Sequence, residues 1–95
     1  MKNNIQKIQN IVADYYKISV DDMKSKKRTS KIAFPRQIAM YLSRLMTDES
    51  FPRIGLEFGG KDHSTIIHAC EKIDKEIKKD SGLNEIINNL KEKIK

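Results

Sequence analysis

The stretch Ser50-Phe51-Pro52-Arg53-Ile54-Gly55-Leu56-Glu57-Phe58-Gly59-Gly60-Lys61-Asp62-His63-Ser64-Thr65 decides the fold. Ser50 is a good N-cap, and Pro52 suits a first helical turn, where its missing N–H costs nothing. Gly59-Gly60 ends that helix near Glu57 or Phe58, because glycine takes the left-handed conformation cheaply. Asp62 then caps a second helix, whose apolar residues Ile66, Cys70, Ile73 and Ile77 are spaced 4, 3 and 4. It ends near Lys78-Lys79, where cations suit the helix terminus. Two helices joined by a short glycine turn, over about residues 50–79, have helix-turn-helix grammar. Gly55 inside the first helix implies a close approach by the second, and Ile54 and Phe58 face the core. On the second helix Ile66, Ala69, Cys70, Ile73 and Ile77 turn inward, whereas Ser64, Thr65, His68, Lys72 and Lys75 turn outward.

Working outward, the other elements are helical too. Ile5, Ile8, Val12 and Tyr15 form one stripe of a helix from Asn3 or Asn4 to about Tyr16. Ser19 opens a short turn of helix to about Met23, with Asp22 placed for a capping box. Lys24–Lys31 is a basic loop. A longer helix follows, starting between Ser30 and Phe34, with Phe34, Ile38, Tyr41, Leu42, Leu45 and Met46 as its apolar face and Pro35 in its first turn. A last helix carries Leu83, Ile86, Ile87, Leu90 and Ile94. No alternating strand pattern appears. The expectation is one all-α domain over residues 1–95, with about six helices.

The charge distribution suggests a partner. The net charge is +6, from 19 Lys and Arg against 13 Asp and Glu. No acidic residue lies between Asp22 and Asp48, a window that holds Lys24, Lys26, Lys27, Arg28, Lys31, Arg36 and Arg44. Outside it the charges nearly cancel. A one-signed segment is the footprint of a polyanion-binding surface, and nucleic acid is the leading partner because phosphate neutralisation releases counterions. An anionic membrane surface and an acidic protein partner are the alternatives. Asp62-His63-Ser64-Thr65 sets small hydrogen-bonding side chains at a helix start, where they reach base edges while leading N–H groups favour phosphate.

Other chemistries fit poorly. Gly55-Leu56-Glu57-Phe58-Gly59-Gly60-Lys61-Asp62 nearly matches a phosphate loop, but Asp62 replaces the metal-binding hydroxyl and no strand precedes it. Ser64, His68 and Glu71 share a helix face with nothing to enclose them, so no catalytic triad is expected. His63 and His68 point apart, and with a single cysteine no zinc site is expected. Cys70 alone also permits no internal disulfide, which suits a reducing cytoplasm. The first residues, Met1-Lys2-Asn3-Asn4, lack the apolar stretch of a signal peptide, and no run is long enough to span a membrane.

Pro35-Arg36-Gln37-Ile38-Ala39-Met40-Tyr41-Leu42, Ile54-Gly55, Phe58-Gly59-Gly60-Lys61-Asp62-His63-Ser64-Thr65 and Ile67-His68-Ala69 resemble the C-terminal DNA-binding domain of the bacterial chromosomal replication initiator DnaA. The resemblance covers nearly the whole chain. It implies a Trp-repressor-like helix-turn-helix fold and recognition of short asymmetric DnaA-box sites in the replication origin. It makes Arg28 a minor-groove reader and Asp62, His63 and Ser64 major-groove readers. Lys26, Arg36, Gln37, Arg44, Pro52, Thr65 and Ile67 become phosphate or backbone contacts. Family members commonly carry threonine where this chain has Ser64; serine keeps the hydroxyl but lacks the methyl through which threonine can touch a thymine methyl. No cofactor is expected in this domain, because ATP belongs to the family's N-terminal ATPase module; the chain is then an excised domain with Met1 as a cloning start. The resemblance further implies a cytoplasmic, monomeric, non-enzymatic domain, with acidic phospholipids and regulatory proteins as further partners.

Overall fold

The computed structural model describes residues 3–95; Met1 and Lys2, expected to belong to a start with no apolar leader, lie outside the described residues. The order is α1 (Ile5–Tyr16), α2 (Val20–Lys24), α3 (Ser30–Met46), α4 (Phe51–Glu57), α5 (His63–Lys79) and α6 (Ser81–Ile94), with no strand among the described residues. The helices start where local chemistry directs. Asn4 Oδ1 accepts from the Lys7 amide at 2.7 Å. Ser19 and Asp22 complete a reciprocal capping box, and the Ser50 hydroxyl accepts from the Arg53 amide at 3.2 Å. Asp80 both ends α5 and caps α6, its carboxylate accepting from the Leu83 amide at 3.1 Å.

α3 runs through the middle, packed against α1, α2, α4 and α5, while α6 closes over α1 and α5. Ile38, Leu42, Ile54, Phe58, Ile66, Ile73, Ile87 and Leu90 are wholly buried between them. This central place corrects two expectations. Ala39 and Met40 are buried beside Ile38 and Leu42, because α3 has neighbours on several sides, and Leu45 is left 51% exposed. In α1 the inward stripe turns through Gln9 and Ala13, so Tyr15 is 40% exposed and lies edge-on to Tyr16. Gln9 is buried with its Nε2 donating to the Glu57 carbonyl at 3.0 Å, tying α1 to the end of α4.

α3 starts at the early end of the expected range, and only the place of Pro35 differs. Helix begins at Ser30, where the Thr29 carbonyl accepts from the Ala33 amide at 2.8 Å, so Pro35 sits in the second turn, not the first. Pro35 forfeits one backbone hydrogen bond there, and it is buried. The irregular loop is correspondingly shorter than the expected 24–31, because Lys24 closes α2 and Ser30 and Lys31 open α3.

Candidate nucleic-acid interface

The turn between α4 and α5 is held by backbone geometry. Gly59 and Gly60 have φ of 89° and 78°, which side chains other than glycine rarely tolerate. The amides of Gly60 and Lys61 donate to the Gly55 carbonyl at 3.1 and 2.8 Å. Gly55 is close-packed as expected, but against the backbone of the turn: a Cβ there would strike the Lys61 carbonyl oxygen. A Cβ on Gly59 would strike the carbonyl oxygen of Lys24, so the turn also rests on the end of α2.

Asp62 occupies the N-cap position of α5, yet its side chain makes no capping hydrogen bond. That differs from the expected cap. The carboxylate instead accepts from Ser64 Oγ at 2.7 Å and lies 3.1 Å from His63 Nδ1. The Ser64 hydroxyl, helped by neighbouring His63, holds the Asp62 carboxyl below its usual range. Asp62, His63 and Thr65 are exposed, and Ser64 is partly so. The tip of the helix is therefore a preorganised, outward-facing set of polar groups linked by their own hydrogen bonds.

The basic loop comes to meet this tip. Lys26, Arg28, Arg36, Lys61 and Thr65 line one cleft of about 360 Å³. A second cleft, of about 260 Å³ between α3 and α5, is lined by Arg36, Gln37, Lys61, Thr65, His68 and Lys72 among others. Lys26 and Arg28 are exposed. Arg36 behaves differently: it is only 9% exposed, and its guanidinium donates to the carbonyls of Ser25 at 3.0 Å and Lys27 at 2.8 Å. Arg36 is thus the post around which the loop is wrapped, and burial lowers its pKa.

Not every candidate residue lies at the cleft. Arg44 stands at the end of α3, where it donates to the Glu49 carbonyl at 3.0 Å and stacks 4.3 Å over the Phe51 ring. Pro52 is exposed one residue beyond Phe51 at the start of α4, so these two residues form a second group at the α3–α4 junction. Ile67 is half-buried on α5. Lys61 is a residue to which the sequence alone gives no role. Its Nζ donates to the Ser25 carbonyl at 2.9 Å and the Phe58 carbonyl at 2.7 Å. Burial first, then the charges of Arg36 and Lys26, lower its pKa. Only its place beside the double glycine hinted at this contact.

Among the described residues no cluster of His, Cys, Asp and Glu is placed to hold a metal ion, and no helix is long and apolar enough to cross a membrane. What converges on the α5 tip is positive charge and hydrogen-bonding capacity on a helix-turn-helix frame. The comparisons agree with that geometry. The family described as bacterial DnaA protein helix-turn-helix matches residues 5–73. The crystal structure of a DNA replication initiation factor superposes with a TM-score of 0.81 at 33% identity, over 95% of this chain and 28% of that one. The chain spans less than a third of that protein's length. With the match covering α1 to the middle of α5, the chain belongs to the bacterial DnaA helix-turn-helix family and is a DNA-binding domain, not a catalytic one.

Proposed function

We propose that this domain recognises asymmetric DnaA-box sites in double-stranded DNA at the replication origin, and so places a larger initiator protein there. One observation carries this reading: Thr65 in the first turn of α5 lines a common cationic cleft with Lys26 and Arg28 of the basic loop, so a duplex laid across it meets both segments at once. Asp62, His63 and Ser64 read base edges in the major groove, with Asp62 accepting from a cytosine amine. Arg28 enters the adjacent minor groove, where narrow A·T-rich stretches concentrate negative potential. Lys26, Arg36, Gln37 and Thr65 hold phosphates along the clefts, Arg44 does so at the α3–α4 junction, and Pro52 and Ile67 lie close to the DNA backbone. Phosphate contacts set register and base contacts supply preference. Two grooves read by two unlike segments need no two-fold axis, so the isolated domain binds as a monomer. It works in the cytoplasm, where the chromosome lies, and needs no ATP; the nucleotide serves a module outside this domain.

The test is a titration at fixed salt of box duplex against scrambled duplex, for the native domain and for Arg28→Ala. The substitution weakens specific binding by about 1–3 kcal/mol and relaxes preference in the A·T-rich segment. An equal loss on both duplexes ends the minor-groove assignment. Acidic vesicles serve as the comparison for phospholipid binding, and binding that survives loss of both Arg28 and Asp62 separates a lipid or regulatory-protein surface from the DNA surface.

A further inference from the structure

We infer that Lys61 is a positioning residue that fastens the basic loop to the helix-turn-helix turn, so that the two DNA-reading segments approach the duplex as one rigid unit. The inference rests on the reading above and adds a residue and a task to it. A lysine that only neutralised phosphate would hold its ammonium out in solvent. Lys61 turns back instead, spending two hydrogens on the carbonyls of Ser25 and Phe58 at 2.9 and 2.7 Å. Phe58 closes α4, and Ser25 opens the loop that carries Lys26 and Arg28.

The Ser25 carbonyl also accepts from Arg36 at 3.0 Å, so one oxygen is gripped from α3 and from the turn together. Directly alongside, Gly59 rests against the Lys24 carbonyl with no room for a Cβ. The end of α2 and the start of the loop therefore meet the turn at two successive residues, Lys24 by close packing and Ser25 by hydrogen bonding. Placing the ammonium near Arg36 and Lys26 costs repulsion, and an approaching phosphate relieves it. Free and bound forms then favour the same loop position. The minor-groove arm is thereby aimed before DNA arrives, which lowers the ordering cost of binding.

The experiment compares Lys61→Met, Lys61→Arg, Arg28→Ala and the Lys61→Met/Arg28→Ala double variant. Each is titrated with box duplex, with the A·T-rich segment scrambled, and with the segment facing α5 scrambled. Lys61→Met lowers discrimination at the A·T-rich segment by about tenfold, leaves discrimination at the other segment within about twofold, and is strongly non-additive with Arg28→Ala. Lys61→Arg, which keeps donors within reach, restores most of the loss. A uniform loss on every duplex, additive with Arg28→Ala, overturns the inference and makes Lys61 a plain phosphate contact. Amide exchange without DNA decides the matter independently: Lys61→Met speeds exchange over residues 25–29 while core amides of α5 keep native protection, which also reports that the variant is folded. Unchanged loop exchange overturns the strap. If Arg28→Ala leaves box preference intact, the groove assignment fails while the exchange result still stands or falls by itself.

Discussion

Arg36→Met separates a structural post from an ordinary phosphate contact. The substitution keeps the buried aliphatic stem and removes the guanidinium that donates to the Ser25 and Lys27 carbonyls at 3.0 and 2.8 Å. Hydrogen bonds from a charged donor are worth about 1.5–3 kcal/mol each. The losses here fall toward the low end for identifiable reasons. The Ser25 carbonyl keeps its bond from Lys61, and Lys27 is exposed, so its carbonyl regains water. Relief of the buried charge offsets part of the remainder. The expected loss of stability is therefore about 2 kcal/mol, which for a domain of this size lowers the melting temperature by about 8–16 °C.

The consequence for DNA follows from the same contacts. A loosened loop carries Lys26 and Arg28 with it, so Arg36→Met weakens box duplex more than random duplex. A residue that only touched phosphate would weaken both alike and leave melting unchanged. Thermal denaturation followed by circular dichroism, with titrations on both duplexes, measures the two effects. A melting temperature within about 2 °C of the native value, together with an equal loss on both duplexes, refutes the account of Arg36 as the post of the loop.

Four further outcomes are expected. Arg44→Ala weakens all duplexes alike and reduces the log–log salt slope by about one unit, since Phe51 and the Glu49 carbonyl hold its guanidinium at the helix junction; an unchanged slope removes it from the phosphate set. Cys70, its thiol pushed up to about 11 chiefly by burial, reacts slowly with thiol reagents at neutral pH in the folded protein, and labelling as fast as a free thiol contradicts that. Ser19→Ala breaks the capping box of α2 and costs about 1 kcal/mol, measured by denaturant unfolding. In the native protein Asp22, held below its ordinary value first by Lys27 and then by the Ser19 amide, contributes stability that is present above its unfolded pKa and lost as pH falls through the lower folded value. The acid limb of the stability profile is correspondingly shallower once Asp22 is replaced by asparagine.

Much of the fold was legible because its signals are local. Asn4, Ser19 and Ser50 cap within three residues, the double glycine must take positive φ, and α5 and α6 bury the stripes their spacing announces. What escaped depends on partners far along the chain. Periodicity cannot say that α3 is surrounded, so it missed Met40 and over-counted Leu45. It placed Pro35 in a first turn because that is where proline costs least, whereas the loop carbonyls gripped by Arg36 lie 11 and 9 residues upstream of it. Asp62 was expected to cap because aspartate commonly does, but a serine two residues on offers its carboxylate a stronger local partner. The charge window located the cationic surface without distinguishing Arg28, which is exposed, from Arg36, which is turned inward.

That distinction bears on how a small domain achieves preference at all. A loop of exposed lysines and arginines binds any duplex, because its charges follow whatever phosphates are nearest. On the proposed reading, preference requires that the loop hold one position relative to α5, since a wandering arm satisfies a wrong sequence as readily as a right one. Here the loop is fixed from behind by Arg36, from the side by Lys61 and from below by the Gly59 contact with Lys24, all through backbone carbonyls. Anchoring on carbonyls leaves the side chains of Lys26 and Arg28 unspent, so rigidity and reach are supplied by different atoms of the same loop. Replacing an anchor should therefore cost sequence preference before it costs affinity, whereas replacing Lys26 should do the reverse.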